Sequence, residues 1–180
     1  RNQPHAQSVS GQAAVGMGGG TGEWLMSGGT ATLKCSLYVG GALLADDFHR
    51  TAPPSNSGRL YVGERDYPGQ AKGLLKLTGG TMSLRRDLIL SKDGEGVLEL
   101  GPGGNLTVDG ALNALAGSKL VVDITGYAGR SRTIATFGSV TRWFDTVELK
   151  GETEGYAVLV DPAKGRVSVK HLVGSVLMVR

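Results

Sequence analysis

The pair Gly79-Gly80 stands between two short runs in which every second residue is apolar, Leu75-Lys76-Leu77 before it and Met82-Ser83-Leu84 after it. Few folds accept that arrangement. Alternation makes a strand with one buried face, and glycine admits left-handed backbone angles and close backbone approach that a Cβ forbids. An ordinary two-residue hairpin favours Asn-Gly or Asp-Gly. The Gly-Gly pair therefore points to a corner of another kind.

The pattern recurs. "WLMSGGTATLKCSLYV", "LKLTGGTMSLRRDLIL" and "LELGPGGNLTVDGALNAL" align on their glycines. Counted from Gly29, Gly80 and Gly104, the fourth residue on is Leu33, Leu84 or Val108, and the eighth is Leu37, Leu88 or Leu112. The anchors lie 51 and 24 residues apart, so the first interval is close to two units. Within it fall a partial copy, "SGRLYVG", and a polar excursion around "DDFHRTAPPSNS". A repeat of about two dozen residues is in the range of solenoids. Strands this short make no stable free hairpin, but each can pair with its equivalent in the next unit. The expected fold is all-β, a parallel β-solenoid with Gly-Gly at a corner between sheets. It predicts two inward stacks, Leu33 with Leu84 and Val108, and Leu37 with Leu88 and Leu112.

From Gly126 onward the alternating segments lengthen, as in "SRTIATFGSV", "RWFDTVELKG", "GYAVLVD" and "GRVSVKHL", with "DPAKG" turning the chain between the last two. Phe137, Trp143, Phe144 and Tyr156 concentrate here. An open solenoid end presents unpaired backbone groups, so a terminal unit has to differ from the rest. The expected organisation is a flexible leader over 1–20, solenoid repeats over 21–126 and an atypical C-terminal β cap over 127–180.

The string "GLLKLTGGTMSLRRDLIL…GEGVLELGPGGNLTVDGAL…GSKLVVDITG" resembles the autotransporter-associated β-strand repeats of bacterial surface proteins. "RTIATFGSV…FDTVELKG…GYAVLVDPAKGRVSV" is similar to the segment that ends such passenger regions. The resemblance covers about residues 20 to 175 and is specific for architecture. It implies a right-handed parallel β-helix, secreted or displayed at a bacterial cell surface, in a class of adhesins, stalks and occasional enzymes. The excursion between Gly41 and Ser57 departs from the pattern, as does the lack of a recognisable barrel or sorting tail.

Composition narrows the partners. Thirty glycines in 180 residues, without a period of three, exclude collagen and suit repeated corners. The net charge is only +3 and no Lys/Arg run exceeds two residues, which argues against nucleic acid. The longest apolar run, near "HLVGSVLMVR", is far too short to span a bilayer. The chain opens at Arg1 without a methionine, as a mature or excised fragment would. Cys35 is the one cysteine. It reads as a small buried hydrophobe, since a thiol nucleophile would need a histidine that only the fold could bring to it.

Two sets of residues could carry function. "ADDFHR" gathers Asp46, Asp47, His49 and Arg50, the residue types that polysaccharide hydrolases use for acid and base work. Such enzymes draw their groups from several coils, and the alternative is a solvated loop. Tyr38 in "SLYVG" and Tyr61 in "RLYVG" occupy equivalent places, so alternation points both outward, in a ladder about 4.8 Å apart. With Trp24 they form the candidate glycan-binding set; the alternative is β-favouring surface residues. No catalytic set, metal site or cofactor motif is expected. The function expected is a non-catalytic structural or adhesive part of an extracellular or surface-displayed bacterial protein, meeting glycans or cell-surface proteins. The alternative is a carbohydrate-binding or carbohydrate-cleaving β-helix.

Overall fold

The computed structural model describes residues 21–34, 72–91 and 94–172, together with the backbone of short strands at 8–9, 13–15, 37–39 and 60–62. The described residues are all-β, with one 3-10 turn and no α-helix. Their strands join in a mixed, open sheet built from parallel ladders and closed by an antiparallel hairpin.

In chain order the strands are β1 (Ser8–Val9), β2 (Ala13–Val15), β3 (Thr21–Leu33), β4 (Leu37–Val39), β5 (Leu60–Val62), β6 (Lys72–Leu84) and β7 (Leu88–Leu90). There follow β8 (Glu95–Ala114), β9 (Lys119–Asp123), β10 (Ser131–Arg142), β11 (Thr146–Lys150), β12 (Tyr156–Asp161) and β13 (Arg166–His171). A first parallel ladder runs β3, β6, β8, β9, β11 through the residues before each Gly-Gly. A second runs β1, β3, β6, β8, β10 through the residues after it. A third runs β2, β4, β5, β7, β8, and the end of β10 lies beside the same part of β8.

The registers follow the glycine alignment. Leu33 pairs with Leu84, Leu84 with Val108, and Val108 with Phe137. Leu37, Leu60, Leu88 and Leu112 form another column, into which the partial copy supplies Leu60. Wherever side chains are described, these columns are buried. Each fully buried leucine contributes about 1.5–3 kcal/mol by leaving water, and Leu75, Leu77, Leu98, Leu100, Leu106, Leu112 and Leu120 are all inside. That repeated burial offsets the weakness of the individual short strands.

Each corner uses its glycines differently. Gly29 and Gly80 adopt the left-handed region, at φ 79° and 82°. Gly104 does not; there the constraint is close approach, because a Cβ would come within 2.6 Å of the Leu77 carbonyl oxygen. The β8 corner also carries one more residue. Leu77 pairs with Leu100 before it, but Gly79 pairs with Gly103 after it, so the offset changes from 23 to 24.

One expectation changes. The 51-residue interval does not hold two full units among the described residues: β6 stacks directly on β3, and the intervening copy contributes β5 to the third ladder. The polar residues between Gly41 and Ser57 lack the two alternating apolar segments that a full turn needs. After Gly126, β10 and β11 extend the parallel ladders over β8 and β9. Among the described strands β13 alone runs against this direction, pairing antiparallel to both β10 and β12. The "DPAKG" turn joins β12 to β13 as a 3-10 turn over Pro162–Lys164, with the Asp161 side chain accepting from Lys164 N and Gly165 at φ 56°. Phe137, Trp143 and Phe144 pack edge to face, with ring centroids 6.0 and 5.3 Å apart, and fill this end.

Candidate functional site

The residues singled out from the sequence do not converge among the described parts of the chain. Trp24 pairs with Leu75, which pairs with Leu98, which pairs with Leu120. The three leucines are fully buried, and Trp24 is half-buried against the same core. It ends an inward column. Tyr38 and Tyr61 are direct backbone neighbours in β4 and β5. Their column continues to Ile89, which is 8% exposed, and to Asn113, half-buried. Asp46, Asp47 and His49 lie outside the described residues, as does Cys35. His171 ends β13, with its ring 4.6 Å from that of Tyr156.

What the structure adds is a charged outer face on the first ladder. Outward positions of β6 carry Lys72 and Lys76, and those of β8 carry Glu95 and Glu99. Lys72 Nζ lies 3.1 Å from Glu95 Oε2, and Lys76 Nζ lies 2.7 Å from Glu99 Oε1. Glu99 Oε1 also faces Lys150 Nζ at 3.8 Å, and that ammonium lies 3.7 Å from Asp123 Oδ2. Beside this chain of charges Lys119 pairs with Glu148. Beyond the corner Arg85 Nη1 reaches Asp109 Oδ2 at 2.9 Å, and the Asp87 carboxylate accepts from Ala111 N, 24 residues on. Lys72–Glu95, Lys76–Glu99 and Lys119–Glu148 join neighbouring strands of the ladder, and Lys150 on β11 reaches Glu99 across β9. Sequence reading missed them, although the signal is present: "KGLLKL" and "EGVLEL" are one strand written with opposite charges.

The electrostatics favour permanent charge. The Glu99 carboxylate bonded to Lys76 holds that ammonium above its usual pKa, against the opposing effect of burial. The Thr125 hydroxyl, donating to Asp123 Oδ1 at 2.6 Å, keeps Asp123 below the usual carboxylate range. Asp145, accepting from Gly117 N at 2.8 Å, is lowered too. A nucleophilic lysine needs its pKa depressed, and a carboxylic general acid needs its pKa raised. All three shifts run the other way, which suits pairing and not proton transfer. Among the described residues no group of three His, Cys, Asp or Glu side chains is placed to hold a metal ion.

At the β3 edge of this face Leu25, Met26, Ser27, Lys76 and Thr78 line an open hollow of about 300 Å³. Leu25 is 62% exposed there. The one cation on the hollow, Lys76, is already paired with Glu99. No helix among the described residues is long and apolar enough to cross a membrane. No protein-family model, curated protein or solved structure matches the chain.

Proposed function

We propose that this chain is a non-catalytic structural or adhesive element of a secreted or surface-displayed bacterial protein, built as a short right-handed parallel β-solenoid. The observation that carries the reading is the continuous column Leu33–Leu84–Val108–Phe137, which links four successive strands of one parallel ladder. Right-handedness is supported by the strong preference of parallel crossover connections for that hand, and by the resemblance to autotransporter repeats. A scaffolding role is supported by the outer face of the first ladder, where opposite charges neutralise one another from strand to strand. Such a face stiffens a stalk and offers little to a reacting substrate.

Glycans or cell-surface proteins are the partners this role implies. One observation favours the carbohydrate alternative: Tyr38 and Tyr61 are direct neighbours in the third ladder, and two rings one strand spacing apart can stack on successive sugar units. Labelling intact, unpermeabilised cells of the encoding bacterium with an antibody to this chain tests the main reading. Label on intact cells is expected; label only after lysis overturns it. Glycan binding that is lost in Tyr38→Ala and Tyr61→Ala would establish the carbohydrate role, and polysaccharide turnover lost in Asp46→Asn or Asp47→Asn would make the protein an enzyme.

A further inference from the structure

The inward leucines leave the phase of β6 against β8 underdetermined. In the observed register Leu75 pairs with Leu98 and Leu77 with Leu100. A slip by one residue would turn the apolar set outward, but a slip by two preserves the faces. It keeps one leucine pair, Leu77 on Leu98 or Leu75 on Leu100, and sets the other leucine on Gly96 or Pro102. Chain length at the corner does not fix the phase either, because β8 absorbs an extra residue there, although Gly103 and Gly104 pack closely on Thr78 and Leu77.

The outer face does distinguish these phases. In the observed register Lys76 is the direct neighbour of Glu99. A slip of two moves Lys76 beside Val97 or Gly101 and leaves Glu99 beside Thr78 or Leu74. On its far side Lys76 meets Leu25, while Glu99 meets Val121 and, at 3.8 Å, the Lys150 ammonium from β11. Lys76 therefore has one directly facing opposite charge, and it lies on β8. Burial decides which pair matters. The side chains of Lys72 and Glu95 are 60% and 67% exposed and those of Arg85 and Asp109 are 61% and 44%, so both pairs are screened and weak. The Glu99 side chain is only 12% exposed, and moving it from Lys76 at 2.7 Å leaves it only the more distant Lys150 at 3.8 Å, which is unfavourable for a buried carboxylate.

We infer that Lys76 and Glu99 are a register key: they select β8 as the strand on which β6 stacks and set the two-residue phase of that pairing. Their role is specification more than stability. Replacing a buried ion pair by apolar residues of similar shape commonly leaves stability intact while removing the penalty on wrong pairings.

Disulfide trapping during oxidative refolding of the full chain, with Cys35 changed to Ser, tests this. Direct neighbours on parallel strands lie about 4.8 Å apart and can be bridged, whereas residues offset by two are beyond disulfide reach. Leu74→Cys with Val97→Cys reports the observed phase. Lys72→Cys with Val97→Cys, and Leu74→Cys with Glu95→Cys, report the two slipped phases. With Lys76 and Glu99 present, the first pair should close and the others stay open. In Lys76→Met/Glu99→Met the slipped pairs should close at least tenfold more often, with the melting temperature of the reporter-free variant little changed. Slipped pairs that stay open in this variant overturn the inference. Should the double variant fail to fold, Lys76→Gln alone decides in the same assay: slipped closure supports the key, and closure in the observed phase alone overturns it.

Discussion

Gly80 lies so close over the preceding corner that a Cβ on it would come within 2.7 Å of the Gly28 carbonyl carbon, whereas a Cβ on Gly29 meets nothing within 4 Å among the described residues. Both glycines are left-handed. Gly29→Ala should therefore cost only the conformational strain of an L-residue there, about 1–2 kcal/mol. Gly80→Ala carries the same strain and must also push the β3 corner away, so its loss should be clearly larger. Urea unfolding of the two variants checks this, and equal losses would contradict the close stacking of corners.

Leu88 is fully buried in the column that runs from Leu60 to Leu112. Leu88→Ala should destabilise the protein by about 2–5 kcal/mol, the usual range for a leucine-sized cavity. A melting temperature equal to that of the parent would remove Leu88 from the core.

Asp123 and Lys76 give opposite pH dependences. The Thr125 hydroxyl holds the Asp123 carboxyl below the usual carboxylate range in the folded state, so its contribution is present above the pKa of the unfolded chain and lost as pH falls through the lower, folded pKa. The Glu99 carboxylate holds the Lys76 ammonium above its usual pKa, so its contribution is present below the pKa of the unfolded chain and lost as pH rises through the higher, folded pKa. Thr125→Val removes the hydroxyl donor to Asp123 and should move the carboxyl titration upward, read by carboxyl-carbon NMR. An unchanged titration would mean that the threonine hydroxyl is not what holds Asp123 ionised.

Chain cut after Gly126 loses β10, β11 and the closing hairpin. It would expose the edges of β8 and β9 and the ends of the columns through Leu106, Val108 and Leu112. Apolar strands with open edges aggregate. Residues 20–126 expressed alone should lose most of their monomer fraction relative to the full chain in size-exclusion chromatography. A monomeric, cooperatively folding fragment would instead make the C-terminal segment an independent unit.

The columns Leu33–Leu84–Val108 and Leu88–Leu112 were legible in the sequence because glycine corners are conformationally demanding and the leucines keep a constant distance from them. The ion pairs were less visible, since Lys76 and Glu99 become neighbours only when the 23-residue register is known. The β10 and β11 additions were hidden by irregular spacing. Phe137 follows its partner Val108 by 29 residues, and Val147 follows Leu120 by 27, as longer connections intervene. The 51-residue interval matched two units in length, but β6 pairs directly with β3.

Stacking of successive parallel strands into one coil is the central claim, and side-chain NOEs along Leu33, Leu84, Val108 and Phe137 test it most directly. Adjacent parallel strands lie about 4.8 Å apart, so each of these side chains should show strong NOEs to its neighbours in the column. The links should run from Leu33 to Leu84, from Leu84 to Val108 and from Val108 to the Phe137 ring, with no strong direct NOE from Leu33 to Val108. Absence of the Leu84–Val108 link, or a direct Leu33–Val108 contact in its place, would contradict the coil.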